Sequence, residues 1–468
     1  MMCLRLTVLS AVLVAPISAL PIHSARRQLS GQRQHTKRAG TQALPLRPGL
    51  LQGRGSRQTP RRSAIWSELC ELRCQAAGSA AKSAVNSTAE SSCADQCHKT
   101  WASLHQASNF VKAGRATLIQ FPDSSEVQKL RVGNNTAFDG VMFAGGLLVN
   151  GRSSFTARLC TSQCKDNHAA GLTSTVILGE LNWEDVKRRR TEVRWASASE
   201  VSVPHITTGA YVGPEDPRLD VIQGARFVLA NINVDEPGCP KFIPEWSNPR
   251  RMFFKPLDPI PDAQPCAIQL EEVDRCSVQK NWASLVPRGS NEIFFVYSTM
   301  PFRILQFDKQ RCKASFVRDE ATAADLSAAH SNASLIKGLE KVHGGSRYVF
   351  GIAVPEGELY FALGHTAPPD YRQVLIAVLR RLGTHGTSFS LAAVSCPIKI
   401  SLHDRGSSLR SKTIATSIVE FNNETDRTRI TYQMNDEKNY ITELEGVGKW
   451  LRAIHEEFHS GLPLHCTG

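Results

Sequence analysis

Residues 215–232 read EDPRLDVIQGARFVLANI. A charged knot, Glu215-Asp216-Pro217-Arg218, leads into two short apolar runs separated by Gln223-Gly224. Apolar and β-branched runs of this length, bounded by Gly, Asn and Asp, are the pattern of hairpin strands. The layout recurs. Lys280-Asn281-Trp282 stands before ASLVPRGSNEIFFVYSTMPFRILQFD, residues 283–308. His343-Gly344-Gly345-Ser346 stands before RYVFGIAVPEGELYFALGHTAPPDYRQVL, residues 347–375, which carries His365, Tyr371 and Arg372. A fourth polar cluster, Tyr432-Gln433-Met434-Asn435-Asp436, lies near the end of the chain. A polar knot followed by two strands is what a propeller blade presents when its innermost strand turns polar groups to a central funnel.

Outward from these knots, short strand-like runs continue from about Thr117: Val141–Val149, Phe155–Leu159, Ala225–Ile232, Glu292–Ser298, Tyr348–Val354, Leu359–Leu363, Val374–Leu379 and Ile430–Gln433. Helical periodicity is expected only at the end, over Ile441–Phe458. Some 350 residues of short strands exceed one sandwich and suit a propeller, which buries them in repeated four-stranded blades. The all-β domain is placed at 111–468. Leu285–Ser290, LVPRGS, matches a protease site used in expression vectors, but it sits inside a coherent strand–turn–strand sequence and is read as part of it.

Residues 63–110 form a different unit. Cys70 and Cys74 are four apart, as are Cys93 and Cys97, in an Ala-, Ser-, Glu- and Lys-rich setting with Trp66, Leu69, Leu72, Trp101 and Leu104 at apolar positions. Residues four apart share a helix face, so two helices folded back on each other are expected to be stapled twice, Cys70 to Cys97 and Cys74 to Cys93. Zinc is the rival, disfavoured because no His pair stands at ligand spacing.

Before it, residues 20–62 are rich in Arg, Gln, Gly and Ser and too poor in apolar residues to fold; they read as a disordered stem. Residues 1–19 have Arg5 followed by a short apolar run, the plan of a signal peptide. That run is shorter than the roughly 20 residues that span a bilayer; an uncleaved anchor is the alternative. The net charge of +12 is concentrated here: residues 1–62 hold 11 Lys or Arg and no Asp or Glu, leaving 44 basic residues against 43 acidic ones elsewhere. Nucleic-acid binding through a basic folded surface is therefore not expected, and membrane contact only if the leader stays as an anchor. Of the 13 cysteines, 12 remain beyond Cys3, an even number that fits an oxidising compartment. Sequons at Asn86, Asn134, Asn332 and Asn423 predict glycosylation. Location is expected in the Golgi or endoplasmic reticulum lumen, or outside the cell.

Taken in order, E-D-P-R, K-N-W followed by FFVYS and MPFRILQFD, G-G-S followed by YFALGH, and ITYQMND resemble the five-bladed β-propellers of the mannoside-phosphorylase superfamily (glycoside hydrolase family 130-like) and the related eukaryotic β-mannosyltransferases. The likeness runs over roughly residues 130–458. Two places depart from it: the first blade reads FDGVMFAGGLLVNGRSSFTARL in place of the usual Asn-x-Ser, and Ala283-Ser284 follows K-N-W where Ser-Pro is more usual.

The resemblance implies a five-bladed propeller with Asp216 as the catalytic acid. A carboxylic acid protonates a departing glycosidic oxygen, or takes the proton of an acceptor hydroxyl in reverse. Arg158, Arg218, Lys280 and His365 would suit a phosphate or diphosphate, Trp282 and Tyr371 a sugar face, and Glu215, Asn281, Arg372 and Asp436 further substrate contacts. Each has a plain structural reading beside it: Asp216-Pro217 as a turn with Arg218 its ion-pair partner, Trp282 as core, His365 as a buried histidine, Gly344-Gly345 as a turn. The function expected is a secretory-pathway glycosyltransferase acting on β-linked mannose or a similar sugar, with an oligosaccharide or sugar nucleotide as substrate. A secreted glycosidase or phosphorylase, or a non-catalytic sugar-binding propeller, are the alternatives. No isolated D-x-D motif is present and no cofactor or metal is expected.

Overall fold

The computed structural model describes residues 111–120, 140–161, 172–204, 211–239, 249–299, 301–317, 342–366, 371–383, 386–395, 397–400, 412–435 and 438–458. The leader, the stem, the twin-cysteine hairpin, Asp436 and the sequons at Asn86, Asn134 and Asn332 lie outside them.

Strand follows strand in antiparallel meanders. Blade 1 is Gly140–Val149, Arg152–Cys160, Leu172–Leu181 and Glu192–Val201. Blade 2 is Glu215–Ile222, Ala225–Asn233, Arg250–Pro256 and Cys266–Ala267. Blade 3 is Ala283–Leu285, Ile293–Thr299, Phe302–Asp308 and Lys313–Phe316. In blade 4 the first strand is broken into Val342–Gly344 and Val349–Val354, both paired with Gly357–Thr366; Gln373–Gly383 and Gly386–Val394 follow. Blade 5 is Thr413–Asn422, Arg427–Met434 and Lys438–Glu445, and its fourth strand, Thr117–Gln120, comes from the other end of the domain. Thr117–Gln120 also pairs in parallel with Glu192–Val201, tying the outer edges of blades 5 and 1.

The cores show that the blades close into a ring. One apolar cluster joins Leu147 and Val176 of blade 1 to Leu219 and Val228 of blade 2; a second joins Leu229 and Phe254 to Phe295 and Phe307 of blade 3. A third joins Phe294 to Tyr360 and Val374 of blade 4, and a fourth Phe361 and Leu363 to Ile418 and Tyr432 of blade 5. The last returns from Val419 and Ile441 to Ala144 and Phe155 of blade 1. Successive side chains of a strand face opposite ways, so Phe294 and Phe295, or Tyr360 and Phe361, feed the two cores on either side of one blade. This is why these strands read as unbroken apolar runs rather than as alternation. Radial repetition around the ring leaves only short, protected sheet edges.

Two short helices accompany the ring among the described residues. Helix α1 is Trp183–Lys187, between the outer strands of blade 1. Helix α2 is Val447–Phe458, and its Val447, Trp450, Leu451 and Ile454, one face at helical spacing, cover the core between blades 4 and 5. The helix expected over 441–458 therefore begins six residues later. Tyr440–Glu445 belongs to a strand that pairs with Arg427–Met434, and Gly446, at φ 95°, separates strand from helix. Cys239–Cys276 staples a loop of blade 2 to the segment between blades 2 and 3, Cys266–Cys312 staples blade 2 to blade 3, and Cys160 is disulfide-bonded as well. No helix among the described residues is long and apolar enough to cross a membrane.

Candidate active site

The first three polar knots of the sequence sit at or beside the first strands of blades 2, 3 and 4, and the fourth begins at the end of the second strand of blade 5. In blade 2, Pro217 has no N–H to give to the ladder. Glu215 pairs with Asn231 and Arg218 with Leu229, so Asp216-Pro217 contains one residue more than the facing strand and forms a β-bulge. Asp216 takes φ 49°, a left-handed conformation that Asp tolerates better than most residues. Bulges re-aim side chains, and this one makes neighbours of two carboxylates with different surroundings.

Glu215 is buried and holds two guanidinium groups. Its Oε1 accepts from Arg158 Nη2 of blade 1 at 3.1 Å, and its Oε2 accepts from Arg250 Nη1 of blade 2. Arg250 Nη1 also reaches Asn231 Oδ1 at 3.4 Å. Burial alone would raise the Glu215 pKa, but Arg158, Arg250 and the more exposed Lys280 hold it below the ordinary glutamate value. Asp216 goes the other way. Burial and then the charge of Glu215 raise its pKa, against the pull of Arg158, Arg218 and Arg250. It is half-buried and receives a long hydrogen bond, 3.4 Å, from Asn231 Nδ2. An ionised glutamate thus stands directly beside an aspartic acid that favours its proton.

Arg218 does not behave as a free cation. It is buried and donates to the backbone carbonyls of Trp282 in blade 3 and Gly344 in blade 4, the latter at 3.1 Å. It ties three blades together, and its direct hydrogen bonds go to carbonyls, not to Asp216. Trp282 is a correction to the expected sugar platform: at 1% exposure it has no face left for a ligand, and its ring packs among Phe295 and Tyr297, with centroids 5.7 and 5.9 Å away. Asn281 is half-buried in the left-handed region at φ 64°. Gly344-Gly345 is a point of close approach, beyond a simple turn: a Cβ on Gly345 would lie 2.6 Å from the Ala415 carbonyl oxygen of blade 5 and 3.0 Å from that of Leu363.

His365 is likewise corrected as a fixed cation. It is 8% exposed, and burial, helped by His343, Arg218 and Lys412, lowers its pKa to about 3, so it is neutral at ordinary pH. Its Nδ1 is buried with no hydrogen-bond partner. His343 lies opposite it across the strand pair, and Tyr371 stacks on its ring at 6.1 Å. The Lys412 ammonium is 5.3 Å from the Tyr371 ring centre, so that ring is already engaged by protein groups. Arg372 is exposed, its backbone exchanging hydrogen bonds with Thr366.

The structure therefore brings Glu215, Asp216, Arg158 and Lys280 into one electrostatic cluster, with Arg218 linking it to His365. Asn281 and Trp282 border it through backbone contacts. Sequence reasoning missed Arg250 and Asn231. The available signal was polarity at positions that strand alternation would bury: Asn231 interrupts an apolar run, and Arg250 opens one. The Tyr432–Asn435 cluster is partly structural. Gln433 Oε1 accepts from Phe143 N, and Asn439 Oδ1 from Ala144 N, each at 3.0 Å, satisfying a bulge in the first strand of blade 1.

No protein-family model matches the chain, and no curated protein matches it. Among solved structures, a β-1,2-mannobiose phosphorylase from Listeria innocua aligns at 10% identity and TM-score 0.42, over 74% of this chain and 99% of that one. A GDP-Man-dependent mannosyltransferase from Leishmania mexicana aligns at 10% identity and TM-score 0.35, over 71% and 89%. A glycosyl hydrolase from Bacteroides ovatus aligns at 11% identity and TM-score 0.39, over 66% and 85%. The ring of blades rests on the strand pairing and the cores, not on these alignments.

Proposed function

We propose that this chain is a carbohydrate-active enzyme of the secretory pathway that transfers a sugar of the β-mannose type, with Asp216 as its acid–base. The observation that carries the reading is the split between neighbours: Glu215 is held ionised and Asp216 is pushed toward the protonated form. Titratable groups driven apart by their surroundings mark the acid of a reacting pair. In the cleaving direction the Asp216 carboxyl gives its proton to the departing oxygen as the bond to the anomeric carbon breaks. In the synthetic direction the carboxylate left behind takes the proton of the acceptor hydroxyl as that bond forms.

Transfer is favoured over hydrolysis by what Glu215 does. Inverting hydrolysis needs a second carboxylate to activate a water. Glu215 spends both oxygens on Arg158 and Arg250 and is poorly placed to act as that base. The Nε groups of both arginines are buried without partners. Together with Lys280 they supply positive charge where a phosphate or nucleotide diphosphate would depart, and fixed cations stabilise such a leaving group. The disulfides fit an oxidising compartment.

The test is incubation of the full chain with nucleotide-activated mannose and mannose oligosaccharides, with and without phosphate, followed by product analysis. Asp216→Asn is expected to lower the rate roughly 10²–10⁴-fold while leaving sugar binding nearly unchanged. A variant as active as wild type removes Asp216 from the mechanism. A wild type that binds mannosides and turns over none of them makes the propeller a sugar-binding module.

A further inference from the structure

Asn423-Glu424-Thr425 is a glycosylation sequon on the hairpin turn between Thr413–Asn422 and Arg427–Met434 of blade 5, and all three residues are exposed. The Asn423 amide is oriented by the protein. Its Oδ1 accepts from Arg452 Nη1 of α2 at 3.1 Å. Beside it is a cavity of about 540 Å³ lined by Asn423, Phe350, Phe421, Arg288, Arg452 and His455. That volume falls within the roughly 300–1,000 Å³ of small-ligand pockets. Phe421 is braced edge-on by Phe361 at 4.9 Å, and Phe350 carries the Arg288 guanidinium 5.1 Å from its ring centre. Aromatic side chains suit the C–H face of a sugar ring, and the guanidinium groups are donors for its hydroxyl and acetamido oxygens.

We propose that Asn423 carries an N-linked glycan whose first N-acetylhexosamine seats in this cavity, fastening α2 to blades 4 and 5. The modification takes its sugar from a lipid diphosphate-linked oligosaccharide. Asn423 Nδ2 forms the bond to the anomeric carbon, the carbon–oxygen bond to the diphosphate breaks, the lipid diphosphate leaves, and Nδ2 loses one proton. Asn-x-Thr is the acceptor pattern, and the leader expected over residues 1–19 would direct the chain to the compartment where the donor resides. The inference is independent of the reaction assigned to Asp216.

The experiment compares wild type, Thr425→Ala and Thr425→Ser secreted from a eukaryotic host. Both substitutions keep Asn423 and its bond to Arg452, but only the serine keeps the sequon. The peptide containing Asn423 is expected to carry a glycan in wild type and Thr425→Ser and none in Thr425→Ala. Thr425→Ala is expected to melt about 2 °C lower. Wild type trimmed by an endoglycosidase to the single first sugar is expected to keep its Tm. An unmodified Asn423 in the secreted wild type overturns the proposal. A modified Asn423 with equal Tm in wild type and Thr425→Ala overturns the seating of the sugar.

Discussion

Asp216 and Asp220 lie four residues apart on one strand of blade 2 and both have raised pKa values, but their surroundings differ. Asp220 is 2% exposed and satisfied: Ser284 Oγ donates to its Oδ2 at 2.6 Å, and Val221 N and Arg347 Nη1 donate to its Oδ1 at 2.8 and 3.1 Å. Burial raises its pKa against Arg347 and these hydrogen bonds. Asp216 is half-buried in a bulge, has one long hydrogen bond from Asn231, and faces the charge of Glu215. A raised pKa alone does not distinguish an acid from a tie between blades. The number of donors converging on the carboxylate, and whether its proton can leave, does.

Exchanging the two carboxylates for neutral groups should separate these roles. Asp216→Asn should lose activity by the orders of magnitude given above and keep its fold. Because folding favours the protonated form of Asp216, wild type loses stability as pH rises from the unfolded aspartate value through the raised folded one. The asparagine does not titrate, so the variant should be at least as stable as wild type at neutral pH, with the advantage vanishing near pH 3. Asp220→Ala should do the reverse. It takes the acceptor from Ser284 Oγ and from Arg347 Nη1, leaving Arg347 only its Nε bond to the Ile418 carbonyl, a loss of about 3 kcal/mol readable by denaturant unfolding. Equal activity losses with equal stability losses in the two variants would erase the distinction.

A subtler effect belongs to Glu215→Gln. Removing that negative charge removes a cause of the raised Asp216 pKa and leaves Arg158 and Arg250 to lower it further. The limb of kcat/KM that reports the Asp216 proton, the acid limb for sugar transfer and the alkaline limb for cleavage, should move to lower pH; a limb that stays in place separates the two carboxylates. The smallest expected effect is at His365. Its folded pKa of about 3 lies below the ordinary histidine value. The stability tied to its neutral form is complete above pH 6.5 and lost as pH falls toward 3. His365→Gln should flatten the acid side of the stability profile in that window, and an unchanged profile would mean that the imidazole is not sealed from protons.

The sequence showed the blades most clearly where strand and knot alternate, at 215–232, 280–308 and 343–375. It also placed the polar groups at the starts of the inner strands, because Pro217, Gly344 and Gly345 break the ladder visibly. It misassigned Trp282, since an aromatic beside a polar knot looks the same whether it faces the funnel or the core between blades 2 and 3. It extended the last helix into Ile441–Glu445, because a short alternating segment next to a helix shares its apolar positions. Arg250 and Asn231 escaped notice because they come from the second and third strands of blade 2. Their convergence on Glu215 depends on register, which no local pattern discloses.

The central claim, an aspartic acid with a raised pKa beside a glutamate with a lowered one, is tested most directly by infrared difference spectroscopy of wild type against Asp216→Asn at a pH just above the ordinary aspartate value of 3.8. The account predicts a protonated-carboxyl C=O stretch in wild type that is absent from the variant. A difference spectrum containing only carboxylate bands would show Asp216 already ionised and contradict it.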